Sequence, residues 1–337
     1  MDNTVAGKKI TRGISEEFAK ALAASKLHKL YDANNHELFW GIRNGYVNLY
    51  YNAASVCKVK YDGRRKKLNC STHKKYIADT DDSKKSDYRA VPIQKIVDDY
   101  KQIKKVINSK NTPEKIMQQK LLYLNNSNEK SKWFCIDIEY VKQRNSSADE
   151  KDKKYGRFDI VAISKEKPRR VALIEFKYGI GAIGGSSGIV KHAEDYTRFN
   201  EDNILGTHMR KEIVDIVANL NTLEICSIKI EDEGEIVEAP EFYFITLDNN
   251  PKTKTQTTPK MTMGGYVFNR TNPKFMKIGS RKQASNTVES KCGDITDPAN
   301  QKLYARFLFS KETIDTINSI PITDIIDDPL YDREFGL

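Results

Sequence analysis

The stretch GRFDIVAISKEKPRRVALIEFKYG, residues 156–179, contains two short apolar runs interrupted by charged residues that a buried strand does not ordinarily carry. In GRFDIVAIS (156–164) Asp159 breaks the run, and in VALIEFKYG (171–179) Glu175 and Lys177 do. Side chains alternate across a strand, so Glu175 and Lys177, two residues apart, project from one face. Two carboxylates and a lysine brought together at strand ends require compensation, because a buried carboxylate is costly unless it is paired or bound to a cation. Mg²⁺ would supply it. That ion prefers oxygen ligands and retains waters, so two carboxylates and a backbone carbonyl leave room for a phosphate and an attacking water. Lys177 then has a separate task, to orient or polarise that water and offset charge developing on the phosphate.

Working outward, WFCIDIEYV (133–141) reads as a preceding strand. IVKHAEDYTRFN and MRKEIVDIVANL follow as helices, then EFYFITLDN (241–249) and YARFLFS (to Ser310) as strands. Before them, PIQKIVDDYKQIKKVINSK carries Ile93, Ile96, Val97, Tyr100, Ile103 and Ile107 on one side of a helix, and Pro113 opens a second helix, PEKIMQQKLLYLNN. The pattern predicts an α/β fold.

Asp159, fifteen intervening residues, then Glu175-Phe176-Lys177 resembles the D…(D/E)-x-K signature of the PD-(D/E)XK nuclease superfamily, over roughly residues 110–250. The resemblance implies a restriction-endonuclease-like α-β-β-β-α-β core with a mixed sheet and the motif on its second and third strands. It further implies metal binding by Asp159, Glu175 and the Phe176 carbonyl, with Mg²⁺ as cofactor and Mn²⁺ as its substitute, and Lys177 addressing the attacking water. Phe158 stands where the superfamily's name has proline. His192 and Tyr196, four apart on the next helix, resemble the Q-x-x-x-Y element of some members, with His in place of Gln, and Asp195 beside them is a candidate to orient His192. For an accessory acid there are two candidates. Glu114 opens the helix before the first strand, where the helix dipole also accounts for it. Glu139, within reach of the Asp159 strand, is the preferred one. The glycines of GIGAIGGSSG permit close backbone approach and a helix start facing a phosphate, but the Gly-Lys-Ser/Thr ending of a nucleotide-binding loop is absent.

The N-terminal part reads differently. Residues 14–30 predict an amphipathic helix, and residues 36–72 a β-meander with tight turns at Asn44-Gly45 and Asp62-Gly63. Eight Lys or Arg and a single acid, Asp62, lie between Lys58 and Lys75. Such an end either grips phosphates or guards a solvent edge against strand-to-strand aggregation. Residues 75–90 read as a linker. The expected division is therefore 1–90, a candidate nucleic-acid-binding region, and 91–337, the nuclease-like domain, with a polar excursion at about 250–300 that holds a short strand at 264–268.

The 337 residues, 39% apolar and 30% charged, are enough for a sizeable core. No apolar run is long enough to span a membrane, and MDNTVAGKKITRG lacks the apolar core of a signal peptide, so the cytoplasm is the expected compartment. Five scattered cysteines without a C-x-x-C pair predict reduced thiols rather than a disulfide framework or a thiolate zinc site. A net charge of +10 favours a polyanionic partner. Taken with the motif these predict a metal-dependent nuclease acting on DNA in preference to RNA, a homodimer being compatible, and the resemblance implies a role in defence, restriction or repair. The alternatives are a non-cleaving nucleic-acid-binding or assembly module of the same fold, and a structural ion-pair network in an unrelated α/β protein.

Overall fold

The computed structural model describes residues 12–77, 86–143, 154–179, 182, 188–248, 305–309 and 313–316. The expected polar excursion and its short strand lie outside these residues, as does most of the glycine-rich segment after Gly179. The chain divides into two compact units, 1–123 with 209–235, and 124–208 with 236–337.

The first unit opens with two helices where the periodicity predicts one, α1 (Glu16–Ala23) and α2 (Lys26–Ala33). Ser25 causes the break. Its hydroxyl accepts the His28 N–H and starts a second helix, as Ser15 does for α1 through the Phe18 N–H. A five-stranded antiparallel sheet follows in chain order, β1 (Leu38–Ile42), β2 (Tyr46–Tyr51), β3 (Ala54–Asp62), β4 (Lys67–His73) and β5 (Tyr88–Val91). Gly45, at φ +68°, makes the first turn as expected. The β2–β3 turn, unforeseen, places Asn52 and Ala53 at φ 48° and 55°, the pair of positive angles a two-residue hairpin requires. The Gln119 side chain holds that turn, accepting from Ala53 N at 2.5 Å and donating to the Glu37 carbonyl at 2.8 Å.

Residues 88–91 are the fifth strand, not linker: His73 faces Tyr88 and Cys70 faces Val91 across β4–β5. The expected division near residue 90 differs from the observed units. Helix α3 (Ile93–Asn108) packs onto the meander unit through Tyr100, whose hydroxyl donates to Glu37 at 2.9 Å, and through Asn108, which donates to the Tyr51 hydroxyl at 3.1 Å. Helix α4 (Pro113–Asn126) comes next, and α6 (Arg210–Thr222) returns to this unit, where Asn219 bonds both backbone groups of Ile14. α6 buries Ile213, Ile216, Val217 and Leu220.

The second unit is built on a mixed sheet of β6 (Trp133–Gln143), β7 (Lys154–Ser164), β8 (Val171–Tyr178), β9 (Glu241–Leu247) and β10 (Ala305–Phe309), in the order β10-β9-β8-β7-β6. β6, β7 and β8 run antiparallel; β8, β9 and β10 run parallel. The fold is thus α/β with one mixed and one antiparallel sheet. The five strand expectations that fall on described residues correspond to strands, and β8 and β9, buried on both faces, read as short apolar runs for that reason. Helix α5 (Ile189–Glu201) packs on β7, and between them lies an aromatic core of Phe158, Tyr196, Phe199, Phe242 and Phe244. The Phe158 and Tyr196 rings are 4.4 Å apart, and Phe199 meets Phe158 edge-on at 5.2 Å. The four described cysteines, Cys57, Cys70, Cys135 and Cys226, are buried and free. Among the described residues no helix is long and apolar enough to cross a membrane.

Candidate active site

The β7–β8 ladder runs from Ile163↔Val171 to Ile160↔Ile174 and stops. The next residues on the two strands are Asp159 and Glu175. In place of a ladder bond, the Phe176 N–H donates to Asp159 Oδ2 at 2.8 Å. A strand residue's N–H and C=O point to the same side, so the Phe176 carbonyl faces the side on which Asp159 stands. On the β6 side, Ile138↔Ile160 and Tyr140↔Phe158 bracket Glu139 and set it level with Asp159. Three acids, Glu139, Asp159 and Glu175, therefore occupy one row across three neighbouring strands.

The two central acids and Lys177 are shielded from solvent, while Glu139 is only partly so. Asp159 is 4% exposed, Glu175 2% and Lys177 6%. Glu175 is engaged at both oxygens: Oε1 accepts from Lys177 Nζ at 2.5 Å and lies 2.9 Å from His192 Nε2, while Oε2 is 2.6 Å from the Tyr196 hydroxyl. That hydroxyl is also 2.7 Å from the Arg157 carbonyl, so one phenolic proton lies between two acceptors. Glu139 pairs with Arg157 Nη1 at 2.8 Å. Its backbone sits at φ +54°, a conformation rare outside glycine, in a strand whose register shifts nearby.

The electrostatics drive the two central carboxyls apart. Burial, and then the charge of Glu175, pushes the Asp159 carboxyl well above the usual range; Lys177 and the Phe176 N–H oppose this and are outweighed. Burial would raise Glu175 as well, but His192 and Lys177 bear on it directly and hold it below its ordinary value. Burial and then the charge of Glu175 raise the Tyr196 phenol, which stays protonated. Arg157, half-exposed, loses part of its hydration beside the sheet, yet Glu139, Asp159 and Glu175 more than offset this and raise it above its ordinary value.

No family model, curated protein or solved structure matches the chain. The reading of this site therefore rests on its own chemistry.

The structure brings together Asp159, Glu175, Lys177, His192 and Tyr196, with Glu139 joined through Arg157. Glu114 stands in the first turn of α4, in the first unit, where the helix dipole accounts for it. Asp195 does not orient His192: its carboxylate takes Lys191 at 2.5 Å, four residues back on α5, while His192 Nδ1 is buried without a hydrogen-bond partner. Sequence reasoning missed Arg157. The signal was present, because Arg157 lies two residues before Asp159 and so shares its face.

The donor set fits a hard divalent cation, since Asp159, Glu175 and the Phe176 carbonyl offer only oxygen. Among the described residues no three His, Cys, Asp or Glu side chains form a metal cage unaided, so a bound ion would complete its shell with that carbonyl and water.

Proposed function

We propose that the chain is a divalent-cation-dependent nuclease that hydrolyses phosphodiester bonds, DNA being the favoured substrate. The observation that carries this reading is the convergence of Asp159, Glu175 and Lys177 where the β7–β8 ladder ends. A lysine and two buried carboxylates at that point suit in-line attack on a phosphate better than they suit a core. The order α4-β6-β7-β8-α5-α6-β9 supports the reading: with α6 set aside as an insertion that returns to the first unit, it matches an α-β-β-β-α-β core with the acids on its second and third strands. The contacts of His192 and Tyr196 with Glu175 support it too, as they anchor the following helix to the motif.

In this proposal Asp159, Glu175 and the Phe176 carbonyl hold Mg²⁺, which when bound supplies Lewis acidity toward a phosphate oxygen and the attacking water. Lys177 orients that water and offsets charge on the phosphate. His192 and Tyr196 fix the Glu175 carboxylate, and Arg157 holds Glu139 in the same row.

A second reading, a closed ion-pair network without catalysis, draws on the saturation of Glu175 by Lys177, His192 and Tyr196. Incubation of the purified chain with duplex DNA, single-stranded DNA and RNA, with and without Mg²⁺, decides between them. The nuclease reading expects metal-dependent cleavage that falls about 10²–10³-fold in Lys177→Ala, the scale of losing one positioned electrostatic group. Silence on all three substrates, with no heat of Mg²⁺ or Mn²⁺ binding, would leave the ion-pair network.

A further inference from the structure

In the first unit Tyr88 is the one large apolar side chain among the described residues that is exposed, at 48%. A single exposed ring is ordinary. This one has company. It lies directly across β4–β5 from His73, and the two rings meet edge-on at 5.7 Å. His73 lies 6.0 Å from the Tyr76 ring, over which the Lys75 ammonium sits at 4.9 Å. Nδ1 of His73 accepts the Lys75 N–H, which leaves the imidazole neutral. Partial burial and the neighbouring Lys75, Lys74 and Lys110 keep it so, against the pull of Asp87.

Around these rings lysines gather, with Asp87 as an acid among the described residues beside them. Lys75 is held below the ordinary lysine range first by partial burial and then by repulsion from Lys110, which precedes α4, and Lys115, in its first turns. Lys74 has a counter-charge in Asp87 at 3.5 Å. Lys75, Lys110 and Lys115 have no ion-pair partner among the described residues, although Lys75 and Lys110 are exposed and free to reach one. Like charges gathered together repel one another and are relieved by an anion.

We propose that the face formed by Tyr88, His73, Lys75, Lys110 and Lys115 binds single-stranded nucleic acid, with a base stacked on Tyr88 and phosphates lying along the three lysines. The ring decides for a single strand, because stacking needs a base whose face is open, whereas a duplex buries its base faces and presents phosphates. The choice of nucleic acid over another polyanion rests on the nuclease reading.

The test is fluorescence anisotropy of a labelled oligothymidylate with the full chain in chelator, titrated over salt. Joint replacement Lys75→Ala, Lys110→Ala and Lys115→Ala is expected to weaken binding at least tenfold and to flatten the salt slope by about 2, since each phosphate contact on a single strand contributes roughly 0.7. Tyr88→Ala is expected to weaken it roughly five- to hundredfold, the range for loss of one stacked base, and Tyr88→Phe to restore it. A duplex should be indifferent to Tyr88→Ala. Unchanged affinity in the triple variant would overturn the proposal, as would a Tyr88→Ala variant that binds single strands normally. Binding in chelator needs no cleavage, so a chain that binds but never cuts counts against the nuclease reading alone. A chain that cuts while these variants bind normally counts against this surface alone.

Discussion

The hydroxyl of Tyr196 stands 2.6 Å from Glu175 Oε2, which ties helix α5 to the strand that carries the central carboxylate. The ring is fully buried and stacks on Phe242 and Phe244, so it cannot turn away without opening the core. Tyr196→Phe would keep that packing and strand two acceptors, the Arg157 carbonyl and Glu175 Oε2. The expected loss is about 1–3 kcal/mol of stability, read from the urea midpoint. An unchanged midpoint would mean that the hydroxyl holds nothing.

Asp159 is expected to destabilise the fold at neutral pH. Its folded value lies above its unfolded one, so between the two the native state binds more protons and stability falls as pH rises through that window. Asp159→Asn keeps an oxygen for the Phe176 N–H and removes the buried charge. Its melting temperature should exceed that of the parent at pH 7, by about 2–4 °C for each kcal/mol relieved, and match it near pH 3, where the carboxyl is protonated in both states. A variant that melts lower at pH 7 would contradict this account.

The same raised carboxyl makes a statement about metal. A proton must leave Asp159 before it can act as a ligand, so Mg²⁺ or Mn²⁺ binding should release protons and strengthen as pH rises. Calorimetry in buffers of different ionisation enthalpy measures that release directly. Binding without proton release would exclude Asp159 as a ligand.

His192 reaches Glu175 Oε1 through Nε2 alone, its other nitrogen being buried and unpartnered. A side chain that offers one donor at that distance should therefore serve. On the proposed nuclease reading, His192→Gln is expected to stay within tenfold of parental cleavage, while His192→Ala loses about 10–100-fold, the scale for removing a group that orients a metal-binding carboxylate. Equal losses in both would assign the imidazole a role beyond holding Glu175.

Gly156, at the start of β7, has φ +83°, and a Cβ there would meet the Asp195 side chain at 3.1 Å. Gly156→Ala should lower stability by about 1–2 kcal/mol from backbone strain alone. Chemical denaturation at neutral pH checks it, and an unaffected variant would show that the strand start can rearrange.

What could be read from the residues was whatever leaves a local trace. The runs around Phe134, Ile160, Leu173 and Phe244 announce strands because each is buried on both sides. The placement of Asp159 with Glu175 and Lys177 follows from alternation once those strands are recognised. β5 was not legible: it is four residues, Tyr88–Val91, set among polar neighbours, and it becomes a strand only by pairing with β4. The return of α6 to the first unit was equally hidden, since the Asn219–Ile14 bonds join residues 205 apart in sequence and periodicity reports nothing at that range. Ser25 and Asn52-Ala53 did carry signals, a helix cap and a hairpin turn, but weaker ones than the Gly-containing turns beside them. The positive φ of Glu139 has no trace in its sequence.

Where Asp159 accepts the Phe176 amide, a strand pairing that would otherwise be made of inert main-chain atoms is completed by an ionisable group. The zipper between the second and third strands of this sheet therefore has a last tooth whose grip depends on charge. Anything that draws on that carboxyl, a proton or a ligand, acts at once on how far the two strands stay joined.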